Sequence, residues 1–207
     1  KDALPGKGQA GDVVFFAADK TAIATKVLGA LRGRLGKQLN LIEEGTFKWT
    51  WITDFPLFHY NEEEKRWESE HHPFTSPNKE DIAKLGTDNG AVRSSSYDLV
   101  LNGNEIASGS IRIHDKATQQ KIFDIIGLEP EETLKRFGFL LRSFEYGPPP
   151  HAGIALGLDR LLTIFLGRES IRDVIAFPKT QRAICPMTSA PSDVPASQLK
   201  ELSIRVA

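Results

Sequence analysis

Arg160 closes the run H-A-G-I-A-L-G-L-D-R over residues 151–160, in which small residues alternate with Ile154 and Leu156. Read as a strand entering a helix, this spacing turns Ile154 and Leu156 toward a core and Gly153, Ala155 and Gly157 toward the opposite face. A face with so few side chains lets a flat heterocycle lie against the backbone. Arg160, in the first turn of a helix expected over 158–166, can then stack on that ring or meet phosphate. The same pattern also suits a tightly packed strand-helix corner with a solvated arginine.

A second set of chemical groups surrounds Asn102-Gly103, a strong two-residue hairpin signal because both positions tolerate positive φ. With Leu101 facing Asn104, Val100 faces Glu105 and Asp98 faces Ala107, which makes Asp98 and Glu105 diagonal neighbours on one face. Two carboxylates are costly to keep charged in a pocket unless a cation neutralises them, and hard oxygen ligands beside phosphates favour magnesium. Two solvent-facing acids on an edge hairpin are the other reading. Strict alternation puts Arg112 on the face opposite Glu105, and one bulge would reverse this. Ser108-Gly109-Ser110 is the expected place for it, since glycine accepts bulge geometry. A guanidinium fork there would hold a carboxylate through two charge-assisted hydrogen bonds.

His71 and His72 precede Pro73, which biases His72 toward an extended conformation and ties down a short loop. A neutral histidine can donate a hydrogen bond without a permanent charge. His151, beside Pro148-Pro149-Pro150, is expected to anchor its loop by a hydrogen bond.

The elements that must position these groups follow from periodicity. D-V-V-F-F-A-A suits a buried strand, and an alanine-rich helix is expected over 21–39, its Lys26, Arg32, Arg34 and Lys37 read as a solvated face. F-K-W-T-W-I-T-D-F-P-L-F reads as a strand with Trp49 and Trp51 packed into a core from one face and Pro56 stopping it. Glu62 to Lys65 reads as a solvated hairpin tip. Helices are expected over 116–126, closed by Gly127, and over 130–145, opened by Pro130 with Glu131 and Glu132 in its first turn. The hairpin and the scarcity of β-α-β alternation point to an α+β fold.

With 207 residues, 40% of them hydrophobic, the chain can bury a core. A balance of 26 Lys+Arg against 27 Asp+Glu excludes a broad phosphate-neutralising surface, so any RNA contact is local. The single cysteine, Cys185, excludes an internal disulfide, and no zinc-ligand spacing is present. Nothing in the sequence argues for membrane insertion or secretion, which makes the cytoplasm the expected compartment. A start at Lys1 and only 1 methionine read as a C-terminal fragment of a longer product.

Five blocks in order carry a resemblance: H-H-P-F-T-S-P, Y-D-L-V-L-N-G-N-E-I, G-S-I-R-I-H, the glycine-rich run ending at Arg160, and R-D-V-I-A-F-P-K-T. Together they resemble bacterial aspartyl-tRNA synthetases, and the glycine-rich run is similar to motif three of class II synthetases. The resemblance implies the class II catalytic core, an antiparallel sheet flanked by helices, over 43–207. It implies the tail of the bacterial insertion domain over 1–42. Carried over by motif position, ATP falls to Glu105, Gly157, Leu158, Asp159 and Arg160, Mg2+ to Asp98 and Glu105, and L-aspartate to His71 and Arg112. Arg112, Arg160 and Glu105 are the catalytic set. The implied activity is ATP-dependent formation of aspartyl-adenylate and its transfer to the terminal adenosine of tRNA. The tRNA for aspartate is the implied acceptor, the tRNA for asparagine remains open, and a homodimer is implied for the full-length protein.

No counterpart of motif one, motif two or the anticodon-binding barrel is found, so the isolated chain is expected to be inactive. The rival readings are an asparaginyl or lysyl enzyme and a noncatalytic synthetase-like module that binds a nucleotide or a partner.

Overall fold

The structure is a computed structural model that describes residues 8–43 and 45–205. The chain divides into two compact units, residues 1–47 and 48–207.

In the first unit the helix α1, Thr21–Gln38, forms where the alanine-rich run requires it and has no buried residue. The apolar run before it is not a strand. Residues 12–17 adopt no regular structure, and Phe16 is 88% exposed. An isolated apolar segment gains no ladder hydrogen bonds without a strand beside it, and this unit contains none among the described residues.

The second unit is built on a four-stranded antiparallel sheet. Strands β1 (Trp49–Thr53), β4 (Ser96–Leu101), β5 (Asn104–Ile111) and β6 (Ala152–Leu156) lie in that spatial order. A separate hairpin of β2 (Phe58–Asn61) and β3 (Arg66–Ser69) turns at the acidic loop expected to be its tip. The helices α2 (Lys116–Ile125), α3 (Pro130–Phe144), α4 (Leu158–Phe165) and α5 (Ala196–Glu201) complete the unit. This is an α+β fold of an antiparallel sheet with flanking helices, as the sequence led us to expect.

Local chemistry explains the joints. Asn102 and Gly103 both have positive φ, 49° and 80°, in the tight turn between β4 and β5. The Asp115 side chain accepts from the Thr118 N–H at 2.7 Å and caps α2, and Gly127 at φ 73° ends its last turn. Pro130 opens α3, its missing N–H costing nothing at that position.

The core does not lie where the tryptophans suggested. Leu57, Phe58, Leu85, Val92, Ile113 and Ile122 form it, between the β2–β3 hairpin, the segment over 85–92 and α2. Trp49 and Trp51 do share a face of β1, but they are 49% and 56% exposed. By register that face continues through Leu99 to Leu156 and Ile154, which are also exposed instead of turned toward a core. Alternation sorted the residues correctly by face, but along this one only Leu101 and Ala107 are buried, while the tryptophans and the β6 residues stay exposed.

Candidate active site

The opposite face of the sheet carries the polar groups. Leu101 pairs with Asn104 and Val100 with Glu105, as the two-residue turn dictates. The register then shifts: Leu99 pairs with Ala107 and Asp98 with Ser108, leaving Ile106 without a partner. The expected pairing of Asp98 with Ala107 is therefore corrected. The bulge needed to reverse Arg112 exists, but it sits at Ile106 and not at Ser108-Gly109-Ser110. Ile106 is a buried β-branched residue whose carbonyl accepts the Gly157 N–H at 2.8 Å. The junction between β6 and α4 thus holds the bulge in place.

Beyond the bulge Asp98, Ser108, Ser110 and Arg112 fall on the same face as Glu105, spread over roughly 20 Å of strand. The β4–β5 pair is interior to the sheet, with β1 and β6 outside it, so its two acids are not on an edge. Their strip is floored by small residues, with Ala155 beside Ser108 and Gly153 beside Ser110.

At one end of the strip lies an open cleft of about 340 Å³, lined by Glu105, Ser108, Ala155, Gly157, Asp159 and Arg160 among others. Arg160 reaches back from α4 and donates from Nη1 to the Glu105 carbonyl. Gly157, with Leu158 next to it, forms the corner at which β6 becomes α4.

At the other end Arg112 lies against the backbone of Gly153, where an added β-carbon would stand 3.2 Å from its Nη2. Gly153 therefore makes room for the arginine and not for a flat ring. Arg112 donates to Ser110 Oγ at 2.7 Å, and its Nη1 touches His72 Nε2. Burial, with the Arg112 charge beside it, pushes the His72 pKa below the ordinary histidine value and keeps the ring neutral.

The pocket at Arg112 receives His72 where the sequence pointed to His71. The His71 ring instead meets Phe55 edge-on, with centroids 5.3 Å apart. Pro73 holds the loop extended, so adjacent histidines point opposite ways, and only the tertiary path decides which one faces the sheet. That path is fixed by Ser76 N–H to Ile111 O, Ile113 N–H to Phe74 O and a bridge between Thr75 and Arg112. His151 takes the anchoring role expected of it, its Nδ1 2.9 Å from Pro149 O.

Asp98 Oδ1 is buried and accepts no hydrogen bond. A carboxylate oxygen left so is expensive unless a cation or another donor completes it. Among the described residues no group of three or more His, Cys, Asp or Glu could by itself hold a metal ion. Asp98 and Glu105, on the same face of the hairpin, are the acids of this strip that could contribute to holding a cation.

Residues that the sequence reading passed over hold this loop. Asp81, 2% exposed, accepts from Arg93 Nε at 2.8 Å and from Lys84 Nζ at 2.6 Å, and these bonds hold its carboxyl well below the usual carboxylate range. Arg93 in turn bridges to Pro56 and accepts the Asn78 N–H, at the far end of the His72 segment. No local pattern announces such a pair, because its members are 12 residues apart and neither lies on a regular strand.

An antiparallel sheet whose last strand feeds a helix carrying an arginine back over a small-residue floor defines a class II aminoacyl-tRNA synthetase core. The family model for class II tRNA synthetases (D, K and N) matches residues 18–181, and the chain belongs to that family. Within it the chain is 54% identical over 198 residues to the aspartate–tRNA(Asp/Asn) ligase of Syntrophomonas wolfei, covering 96% of this chain and 34% of that protein. It is 50% identical over 201 residues to the aspartate–tRNA ligase of Clostridium acetobutylicum, covering 97% of this chain and 34% of that one. The chain thus spans about a third of the length of these relatives.

Among solved structures, the aspartyl-tRNA synthetase of Entamoeba histolytica is 28% identical with a TM-score of 0.51, over 85% of this chain and 30% of that one. The asparaginyl-tRNA synthetase of Pyrococcus horikoshii shares the fold at 20% identity and a TM-score of 0.50, over 85% of this chain and 33% of that one.

Proposed function

We propose that this chain supplies the amino-acid pocket and one wall of the ATP site of an aspartate–tRNA ligase. The observation that carries the proposal is the guanidinium of Arg112 set beside a neutral histidine at one end of a strip whose other end is the cleft at Arg160. In this reading Arg112 grips the side-chain carboxylate of L-aspartate, and His72 adds a donor in place of the sequence-expected His71. An asparagine amide would leave one arm of the guanidinium facing an N–H group.

ATP lies along the cleft, with its base over Ala155 and Gly157 and Arg160 released from the Glu105 carbonyl to stack or to meet phosphate. Gly157, Leu158 and Asp159 shape that wall. Asp98 and Glu105 would hold Mg2+, which would neutralise phosphate charge as the leaving group departs. The α-carboxylate of aspartate, already an ionised nucleophile, forms a bond to the α-phosphorus of ATP. The bond to pyrophosphate breaks, and its electrons leave with that group. The terminal hydroxyl of tRNA then attacks the mixed-anhydride carbonyl and AMP leaves. Positioning and charge neutralisation by Arg112, Arg160 and Glu105 do most of the work, so no general base is assigned.

The proposal extends to the larger protein. Residues 1–42 form the tail of the bacterial insertion domain, and 43–207 the C-terminal part of the catalytic domain. The full-length protein is a cytoplasmic homodimer, and the relatives' names leave both the aspartate and the asparagine tRNA as acceptors. Among the described residues no helix is long and apolar enough to cross a membrane. The isolated 207 residues should give no adenylate synthesis, because motifs one and two find no counterpart in them.

Aspartate-dependent ATP–pyrophosphate exchange in the full-length protein, beside asparagine and lysine, tests the proposal. Exchange with aspartate alone, reduced by Arg112→Ala at least about a hundredfold, is expected, the cost of unpairing a buried charge. Exchange with another amino acid would move the specificity within the family, and no exchange at all would leave a binding module.

A further inference from the structure

The helix α1 of the first unit is charged with one sign only. Lys20 at its N-cap and Lys26, Arg32, Arg34 and Lys37 within it are five of the 26 Lys+Arg, and none of the 27 Asp+Glu lies between residues 20 and 38. The remainder of the chain is therefore acidic. In the second unit Arg66, Lys84, Arg93, Lys116 and Arg136 each meet a carboxylate. Among the described residues no cation of α1 has an ion-pair partner.

These charges are also sorted by face. At 3.6 residues per turn Lys26, Arg34 and Lys37 share about 80° of arc along about 16 Å of helix, while Arg32 points away from all three. The half-buried residues Ala24, Leu31 and Leu35 lie on another side, so the basic arc faces outward. Ala30 and Gly33 stand between the cations, and a β-carbon added at Gly33 would meet nothing within 4 Å. The stability of the helix does not call for this arrangement. Arg34 and Lys37, three residues apart, repel each other, and only Lys37 lies in the last turn, where the helix dipole favours a cation. A face that is merely solvated carries both signs, as α3 does where Glu132 pairs with Arg136.

We propose that the Lys26–Arg34–Lys37 face of α1 is an interaction surface for the phosphate backbone of RNA. Three unpaired cations in line, with small residues between them, let a polyanion approach the helix closely and release its counterions. Such contacts position the RNA and add affinity without reading its sequence. The surface is local, as the balanced charge of the whole chain requires. That the RNA is the tRNA acceptor rests on the ligase reading, whereas the affinity of the face for RNA does not.

The test compares the full-length wild type with a triple variant, Lys26→Gln with Arg34→Gln and Lys37→Gln, and with Arg32→Gln as a control on the same helix. Binding of unfractionated bacterial tRNA is followed between about 50 and 200 mM salt. The triple variant should bind at least about tenfold more weakly at the lower salt and lower the slope of log affinity against log salt by about 2. Arg32→Gln should leave that slope within about 0.5 of wild type. Aspartate-dependent ATP–pyrophosphate exchange, a step without tRNA, should stay within about twofold in every variant. Arg34→Glu, which reverses one exposed charge, serves if the triple variant fails to fold. Unchanged affinity and slope would overturn the proposal. So would an equal effect of Arg32→Gln, charge for charge, or a loss of exchange that parallels the loss of tRNA binding. Absence of exchange in the wild type would instead defeat the ligase reading, and the salt slopes would still decide whether this face binds RNA.

Discussion

A β-carbon at Gly109 would stand 2.1 Å from the carbonyl oxygen of Gly153 and 2.6 Å from the Tyr97 ring. The same carbonyl accepts the Tyr97 hydroxyl at 3.1 Å. Gly109 thus lets β5 and β6 close while the ring of Tyr97 lies over the gap. Gly109→Ala should destabilise the second unit by about 3 kcal/mol, the upper range for overpacking. Gly103→Ala, strained at φ 80° but with open space around it, should cost only about 1 kcal/mol. Chemical denaturation of the two variants separates steric from conformational cost.

Gly153→Ala is expected to act through Arg112. Its new methyl would sit 3.2 Å from Nη2, so the guanidinium must shift by a few tenths of an ångström. The KM for aspartate in the full-length protein should rise about fivefold, as misplacement of a binding group does, while the KM for ATP stays unchanged. An equal rise in both would mean that Gly153 serves the nucleotide.

The two histidines of the H-H-P sequence should separate by substitution. His72→Ala removes the ring touching Arg112 and should raise the aspartate KM roughly tenfold. His71→Ala removes an edge contact with Phe55 and should change it by less than about threefold. The reverse order would place His71 at the substrate.

Asp81 gives a pH-dependent prediction. Its folded pKa is depressed, chiefly by hydrogen bonds from Arg93 and Lys84. Its contribution to stability is therefore complete above the ordinary carboxylate value of about 3.9 and is lost as pH falls through the lower folded value. Asp81→Asn should lower the melting temperature at pH 7, and the gap to wild type should narrow only below about pH 4. A gap that closes between pH 7 and 5 would contradict this pairing.

Trp49 and Trp51 are exposed on β1, while Trp67 packs against the core. In the 207-residue chain acrylamide should quench most of the tryptophan emission, and Trp49→Phe with Trp51→Phe should leave a blue-shifted, protected residue. The exposed apolar face should also drive concentration-dependent association of the isolated chain, visible by light scattering.

The sequence by itself determined the features that depend on a few neighbouring residues. Asn102-Gly103 set the hairpin because both residues accept positive φ, Pro130 and Gly127 bounded the helices, and the motif blocks carried the family. Alternation also sorted Trp49, Trp51, Ile154 and Leu156 onto one face. Tertiary structure alone decided the rest. The bulge moved to Ile106 because the Gly157 N–H claims its carbonyl, a contact 51 residues away in the chain. His72 and not His71 reached Arg112 because Ile111 and Ile113 hold the loop in register against the end of β5. Whether an apolar face is buried depends on what lies across it, and which of two adjacent side chains enters a pocket depends on the backbone path. Neither is a property of the residue itself.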